Sequence, residues 1–155
     1  DCKNDDTYGL KLYATHKTTH IPDAYVIYPS LVNSGYYAMA TTPLDTAFIA
    51  KSTLPRAGYG AFAARRIAKD TYFGPYGGLK HNDSLIAETT GYAWTIKNEL
   101  GELIYFIDAF DPNNSNWLRF INSANAACQQ NLVAVMQLKI TFESLASNDN
   151  KQFYQ

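Results

Sequence analysis

The sequence predicts a mainly β fold with short helices, and three observations carry that prediction. Short apolar and aromatic runs recur between Gly and Pro clusters from residue 46 to residue 142. Tyr92, Trp94 and Ile96 alternate with Ala93, Thr95 and Lys97, the period of a strand. Leu132, Ala134, Met136, Leu138, Ile140 and Phe142 face one way while Gln137, Lys139 and Thr141 face the other, so a single long strand with one buried side is expected there.

Taken in order, residues 1–45 read as a polar, partly ordered leader. His16 and His20 stand four apart in it, and a β-rich run from Ala24 to Tyr28 is ended by Pro29, Ser30, Asn33, Ser34 and Gly35. Gly58-Tyr59-Gly60 and Phe73-Gly74-Pro75-Tyr76-Gly77-Gly78 read as turns between strands. Ser84 to Thr89 suits a turn or two of helix. Tyr92 to Lys97 and Leu103 to Ile107 form a hairpin around the Asn98 to Glu102 turn. Asn114 to Phe120 suits another helical turn, with Ser115 placed to cap Trp117 and Leu118. Residues 144–155 are polar without period and are expected to fray. The folded domain is therefore expected over 46–143.

At 155 residues, 46% hydrophobic and 17% charged, the chain suits one core and lacks the composition of a disordered segment. Thirteen Lys and Arg against fourteen Asp and Glu leave a formal charge of −1, without the basic excess that phosphate neutralisation needs, so direct nucleic-acid binding is disfavoured. No apolar run reaches the length of a membrane span, and the acidic start Asp1-Cys2-Lys3-Asn4-Asp5-Asp6 is unlike a signal peptide. A first residue other than Met is expected of a piece of a longer polypeptide. Two cysteines, Cys2 and Cys128, are too few for a disulfide framework and are ordinary for a reducing compartment. Cys2, His16 and His20 match no compact zinc spacing.

Few segments carry chemistry. Gly58-Tyr59-Gly60 allows close backbone approach to a ligand, but no third glycine opens a helix and no phosphate-loop lysine follows. A hydrolytic triad lacks a base, because His16, His20 and His81 all lie in loop-like contexts. Asp108 and Asp111 read as a surface turn rather than an acid and base pair. Tyr72, Tyr76 and Tyr92 could line a groove. The least ordinary stretch is Asn116-Trp117-Leu118-Arg119-Phe120-Ile121-Asn122, where polar groups enter an apolar setting and must find partners. It is either a structural network or a pocket wall.

The order of these pieces matters more than any one of them. Pro55-Arg56-Ala57-Gly58-Tyr59-Gly60-Ala61-Phe62-Ala63, then Ile67 to Gly78, Gly91-Tyr92-Ala93-Trp94, Tyr105 to Asp111, Ser115 to Asn122 and Gln129 to Ala134 follow one another. Together they resemble the PR/SET domain of the PRDM family over roughly residues 46 to 142. The resemblance implies a SET-type fold of small curved sheets, a β-clip, and S-adenosylmethionine-dependent methylation of lysine in the histone H3 tail or another lysine-containing protein. It implies a nuclear chromatin or transcription regulator with zinc fingers beyond this segment, and a transfer that needs no metal. The cofactor would lie against Gly58, Tyr59, Gly60, Tyr92, Arg119, Phe120 and Asn122, with Asn122 and Asn131 ordering the backbone; Tyr92 would act catalytically as a wall of the lysine channel.

The chain departs from the family pattern at its end. Glu143 stands about where a channel tyrosine is expected, Ser123 replaces a cysteine, and at most Cys2 and His16 remain of a preceding zinc cluster. The aromatic closing segment is expected to be missing. A non-catalytic PR-type interaction module in a transcription regulator therefore stands beside the methyltransferase reading.

Overall fold

The computed structural model describes residues 19–26, 35–136, 140–144 and 152–153. Strands β1 (Thr19–Ile21), β4 (Thr71–Phe73), β9 (Ile140–Ser144) and β8 (Leu132–Met136) form a sheet in that order; β1 runs parallel to β4 and the other pairs are antiparallel. β2 (Ala47–Lys51) and β3 (Tyr59–Ala63) make an antiparallel pair, and β5 (Leu79–His81), β7 (Leu103–Asp108) and β6 (Ala93–Lys97) make a third sheet with β7 central. The helices are short: α1 (Tyr37–Ala40), α2 (Ser84–Thr90) and two 3-10 turns, Trp117–Phe120 and Ala127–Gln129. The fold is thus mainly β in small sheets, as the sequence predicts.

The expected hairpin and second helix are present. α2 starts where Asp83 Oδ1 accepts from the Leu85 and Ile86 amides and stops at Gly91, whose φ of 72° suits glycine. β6 and β7 pair around a turn in which Asn98 Oδ1 accepts from the Leu100 and Glu102 amides.

Five expectations are corrected, four of them local. The long strand from Leu132 to Phe142 is two strands, β8 and β9, paired Met136 with Ile140 and Ala134 with Phe142. Three residues separate them, and an odd connection preserves the parity of a period-2 pattern, so alternation alone cannot reveal the break. Ala24 to Val26 is not strand; the nearby strand is β1, and residues 27–34 lie outside the described residues. Ser115 does not cap the 3-10 turn: its hydroxyl donates to the Asp111 carbonyl, and the Trp117 amide donates to Thr41 Oγ1 instead. Cys128, read as one of two thiols of a reducing compartment, is disulfide-bonded, a pairing that spacing does not disclose.

The polar end is the largest correction. Phe153 is 0% exposed and Gln152 is buried; Phe62 bridges Gln152, and the Phe153 amide donates to the Ala61 carbonyl at 2.7 Å. Phe153, Phe73 and Trp117 meet as three rings with centroids 5.5–6.1 Å apart. Gln152 and Phe153 are therefore packed into the fold, where fraying was expected. Burying Phe153 contributes ~1.5–3 kcal/mol, and the hydrogen bonds of Gln152 add to it against an ordering cost of about 1–2 kcal/mol per residue.

Candidate functional site

The 3-10 turn Trp117–Phe120 sits between the β2–β3 pair and the β5–β7–β6 sheet and presents different residues to each side. Trp117, Leu118 and Phe120 are buried, which fixes the turn as a rigid shelf. Arg119 leaves it toward Tyr92. Its Nε donates to the Ala109 carbonyl at 2.8 Å and its Nη2 to the Phe110 carbonyl at 3.1 Å, just beyond the end of β7. Its guanidinium lies 4.5 Å from the Tyr92 ring centroid and 5.1 Å from that of Phe120.

Tyr92 follows the α2 cap, and its position is set through its own backbone. Its carbonyl accepts from the Tyr76 hydroxyl at 2.9 Å and from the Ala109 amide at 3.3 Å, while its ring meets Phe110 edge-on at 6.2 Å. Burial pushes the Tyr76 phenol far above its ordinary pKa, so this donor keeps its proton at neutral pH. These contacts bound a cavity of about 450 Å³, within the roughly 300–1,000 Å³ of small-molecule sites, between the Tyr92–Trp94 and Leu118–Asn122 walls and the Arg56–Ala57 turn.

A polar network supports one rim. Asn122 Nδ2 donates to Ser52 Oγ and to the Tyr59 carbonyl, both at 3.1 Å. Gln152 Nε2 donates to the same Ser52 hydroxyl, and Gln152 Oε1 accepts from the Thr53 amide and hydroxyl. Asn131 Nδ2 donates to the Gln152 carbonyl at 2.9 Å. The C-terminal segment, the β2–β3 loop and the asparagine of the shelf thus share one set of hydrogen bonds.

Of the residues singled out from sequence, Tyr92, Arg119 and Asn122 converge on the cavity wall. Gly58, Tyr59 and Gly60 border it through the bond from Asn122 to Tyr59 without forming the wall itself. A Cβ on Gly60 would collide with the Gln152 amide, so this glycine admits the close approach of the chain's own Gln152. Phe120 and Asn131 lie behind the wall, Phe120 edge-on to Tyr59 at 6.4 Å and Asn131 on Gln152. Tyr76 also reaches the wall, whereas Tyr72 lies on β4, away from it. Ser52, Thr53 and Gln152 carried no motif and were not anticipated.

Other candidates are relocated. His81 lies on β5, not in a loop, with Nε2 3.5 Å from Asp108 Oδ2. Asp108 is 5% exposed at the end of β7 and accepts from the Phe110 amide, so it is not a surface-turn residue. Asp111 does act in a turn: bonds from Asn113 and Asn114 hold its carboxyl below the usual carboxylate range. His20 places Nε2 2.8 Å from the Gly74 carbonyl, while Cys2 and His16 lie outside the described residues.

Comparison with known proteins agrees with this architecture. The family model described as the PR domain of PR domain zinc finger protein 2 matches residues 47–147. The histone-lysine N-methyltransferase set-17 of Caenorhabditis elegans is 41% identical over 86 residues, 56% of this chain and 30% of that protein. The mouse histone-lysine N-methyltransferase MECOM is 37% identical over 84 residues, 54% of this chain and 7% of that protein. The chain thus spans less than a third of the length of these relatives. Among solved structures, the methyltransferase domain of human PR domain-containing protein 2 superposes with a TM-score of 0.65 at 23% identity, covering 96% of this chain and 92% of that one. A polycomb repressive complex 2 structure bound to S-adenosylmethionine matches with a TM-score of 0.58 at 21% identity over 71% of this chain and 15% of that one. With residues 47–147 matched by the family model and its small sheets superposing on SET-domain structures, the chain belongs to the PR domain family and has the SET-type fold.

Proposed function

We propose that this domain binds S-adenosylmethionine and methylates a lysine of a histone H3 tail or another lysine-containing protein, within a nuclear chromatin or transcription regulator. The observation that carries the proposal is the convergence of Tyr92, Arg119 and Asn122 on one cavity of about 450 Å³. The cavity suits the donor: aromatic faces attract a sulfonium cation, and backbone carbonyls and asparagine serve a nucleoside. When bound, the donor supplies an electrophilic methyl on sulfur that leaves as a thioether.

The chain's own residues position the site. Arg119, held by two carbonyls, fixes the Tyr92 ring from one side, and the protonated Tyr76 fixes its backbone. Tyr92 is assigned the wall of the lysine channel. A lysine amine has a reference pKa of ~10.4 and would have to be neutral to accept a methyl group. The fixed Arg119 guanidinium beside Tyr92 disfavours a second cation such as the ammonium, and alignment lowers the remaining barrier. Asn122, on Ser52 and the Tyr59 carbonyl, keeps the opposite rim in register.

Isothermal titration with S-adenosylmethionine, followed by methyl transfer to an H3 peptide, tests this reading. Micromolar binding with transfer is expected. A folded sample that binds no donor would overturn it in favour of an interaction module without catalysis. That second reading is favoured by Glu143, which β9 pairs with Tyr72 and Val133 where a channel tyrosine is expected.

A further inference from the structure

We propose that Arg56 recognises the carboxylate of the cofactor's amino-acid end, an assignment that rests on the S-adenosylmethionine reading. The cavity wall carries two cations, Arg56 and Arg119, and no carboxylate. The two differ in commitment. Arg119 spends its Nε and Nη2 on the Ala109 and Phe110 carbonyls and its face on Tyr92. Arg56 is exposed, and among the described residues no carboxylate or carbonyl holds its guanidinium. A planar fork of five donors facing a cavity is suited to bidentate recognition of a carboxylate.

The backbone under Arg56 points the same way. Leu54 to Ala57 form a turn closed by the Ala57 amide on the Leu54 carbonyl at 3.3 Å. Pro55 takes its second position and Arg56 its third, with a φ of 64°. A positive φ at the third position is the type II pattern, where glycine is favoured and a side chain is strained. Strain that local structure does not require tends to collect where a side chain serves a ligand. Here the loop is itself anchored, by the Ser52 amide on the Gly58 carbonyl and by Gln152 on Thr53, so the turn is held under Arg56 whichever residue occupies the position.

This arrangement gives stability and binding opposite signs in one variant. Arg56→Gly should fold with an unchanged or raised Tm, because glycine accepts the left-handed conformation. Titrations of wild type and variant with S-adenosylmethionine and with its decarboxylated analogue read the carboxylate directly. Wild type should bind the complete donor at least tenfold more tightly than the analogue, and Arg56→Gly should bind both alike, near the analogue's affinity. Arg56→Lys should retain part of the discrimination, which a purely conformational effect would not restore. If wild type binds both ligands equally, or Arg56→Gly keeps the discrimination, the assignment of Arg56 falls while the methyl-donor reading stands. If wild type binds neither ligand, both fall together.

Discussion

Asn116 and Asn122 stand at the two ends of one short segment with the same side chain and opposite settings. Asn116 is buried and uses its amide completely: Nδ2 donates to Asp23 Oδ2 and to the Pro75 carbonyl, both at 2.8 Å, and Oδ1 accepts from the Gly77 amide at 3.0 Å. Asp23 also accepts from Trp117 Nε1, so this end ties β1's continuation, the loop after β4 and the shelf into one network. Asn122 is half-buried, donates to Ser52 and Tyr59, and lines the cavity. A structural network and a pocket wall are therefore both present, at opposite ends, with buried Trp117 and Leu118 separating the two roles.

That contrast is most exposed to refutation at Asn116. Asn116→Ala leaves Asp23, the Pro75 carbonyl and the Gly77 amide without their partner, and should destabilise by on the order of 3 kcal/mol in urea unfolding, since each stranded buried group costs about 1–3 kcal/mol. A loss below that of Asn122→Ala would break the comparison. Gln152→Ala comes next, at about 1–2 kcal/mol, because it removes the clamp between the C-terminal segment and Ser52 and Thr53. Amide exchange at Gly60 and Ala61 should quicken with it; unchanged exchange would mean that Phe153 alone closes the fold.

Asn122→Ala should cost only about 1 kcal/mol, since its site is part-exposed, yet weaken S-adenosylmethionine binding at least tenfold. Equal affinity with lowered stability would move Asn122 into the structural class with Asn116.

The smallest effect concerns pH. Burial raises the Asp23 pKa despite bonds from Asn116 and Trp117 that oppose the rise. A carboxyl with a raised folded pKa contributes stability that is fully present below its unfolded value of about 3.9 and is lost as pH rises through the folded value. The Tm of wild type minus that of Asp23→Asn should therefore fall as pH increases from 4 toward neutrality. A difference that grows over this range would show that bonding, not burial, dominates at Asp23.

Much of the candidate site was legible because its residues break a local rule. Arg119 and Asn122 among Trp, Leu, Phe and Ile are costly unless partnered, and Tyr92 opens the alternating run that becomes β6. Gln152 and Ser52 break none: polar residues in polar stretches look alike whether solvated or bonded across 100 positions. Arg56 lies in the Pro55 to Ala63 run, but only its φ and the absence of a partner among the described residues distinguish it from any surface arginine.

The sequence by itself determined the β character, the β6–β7 hairpin, a short helix over Ser84 to Thr89, and the order of motifs that marks the family. Those features rest on periodicity, turn chemistry and capping, which act between residues close along the chain. Only the tertiary structure decided that the alternating run after Leu132 folds back on itself, that Phe153 fills the gap between Phe73 and Trp117, and that Asn116 and Asn122 divide their roles. Each of these depends on what a distant segment places opposite a given residue, and neither composition nor period carries that pairing.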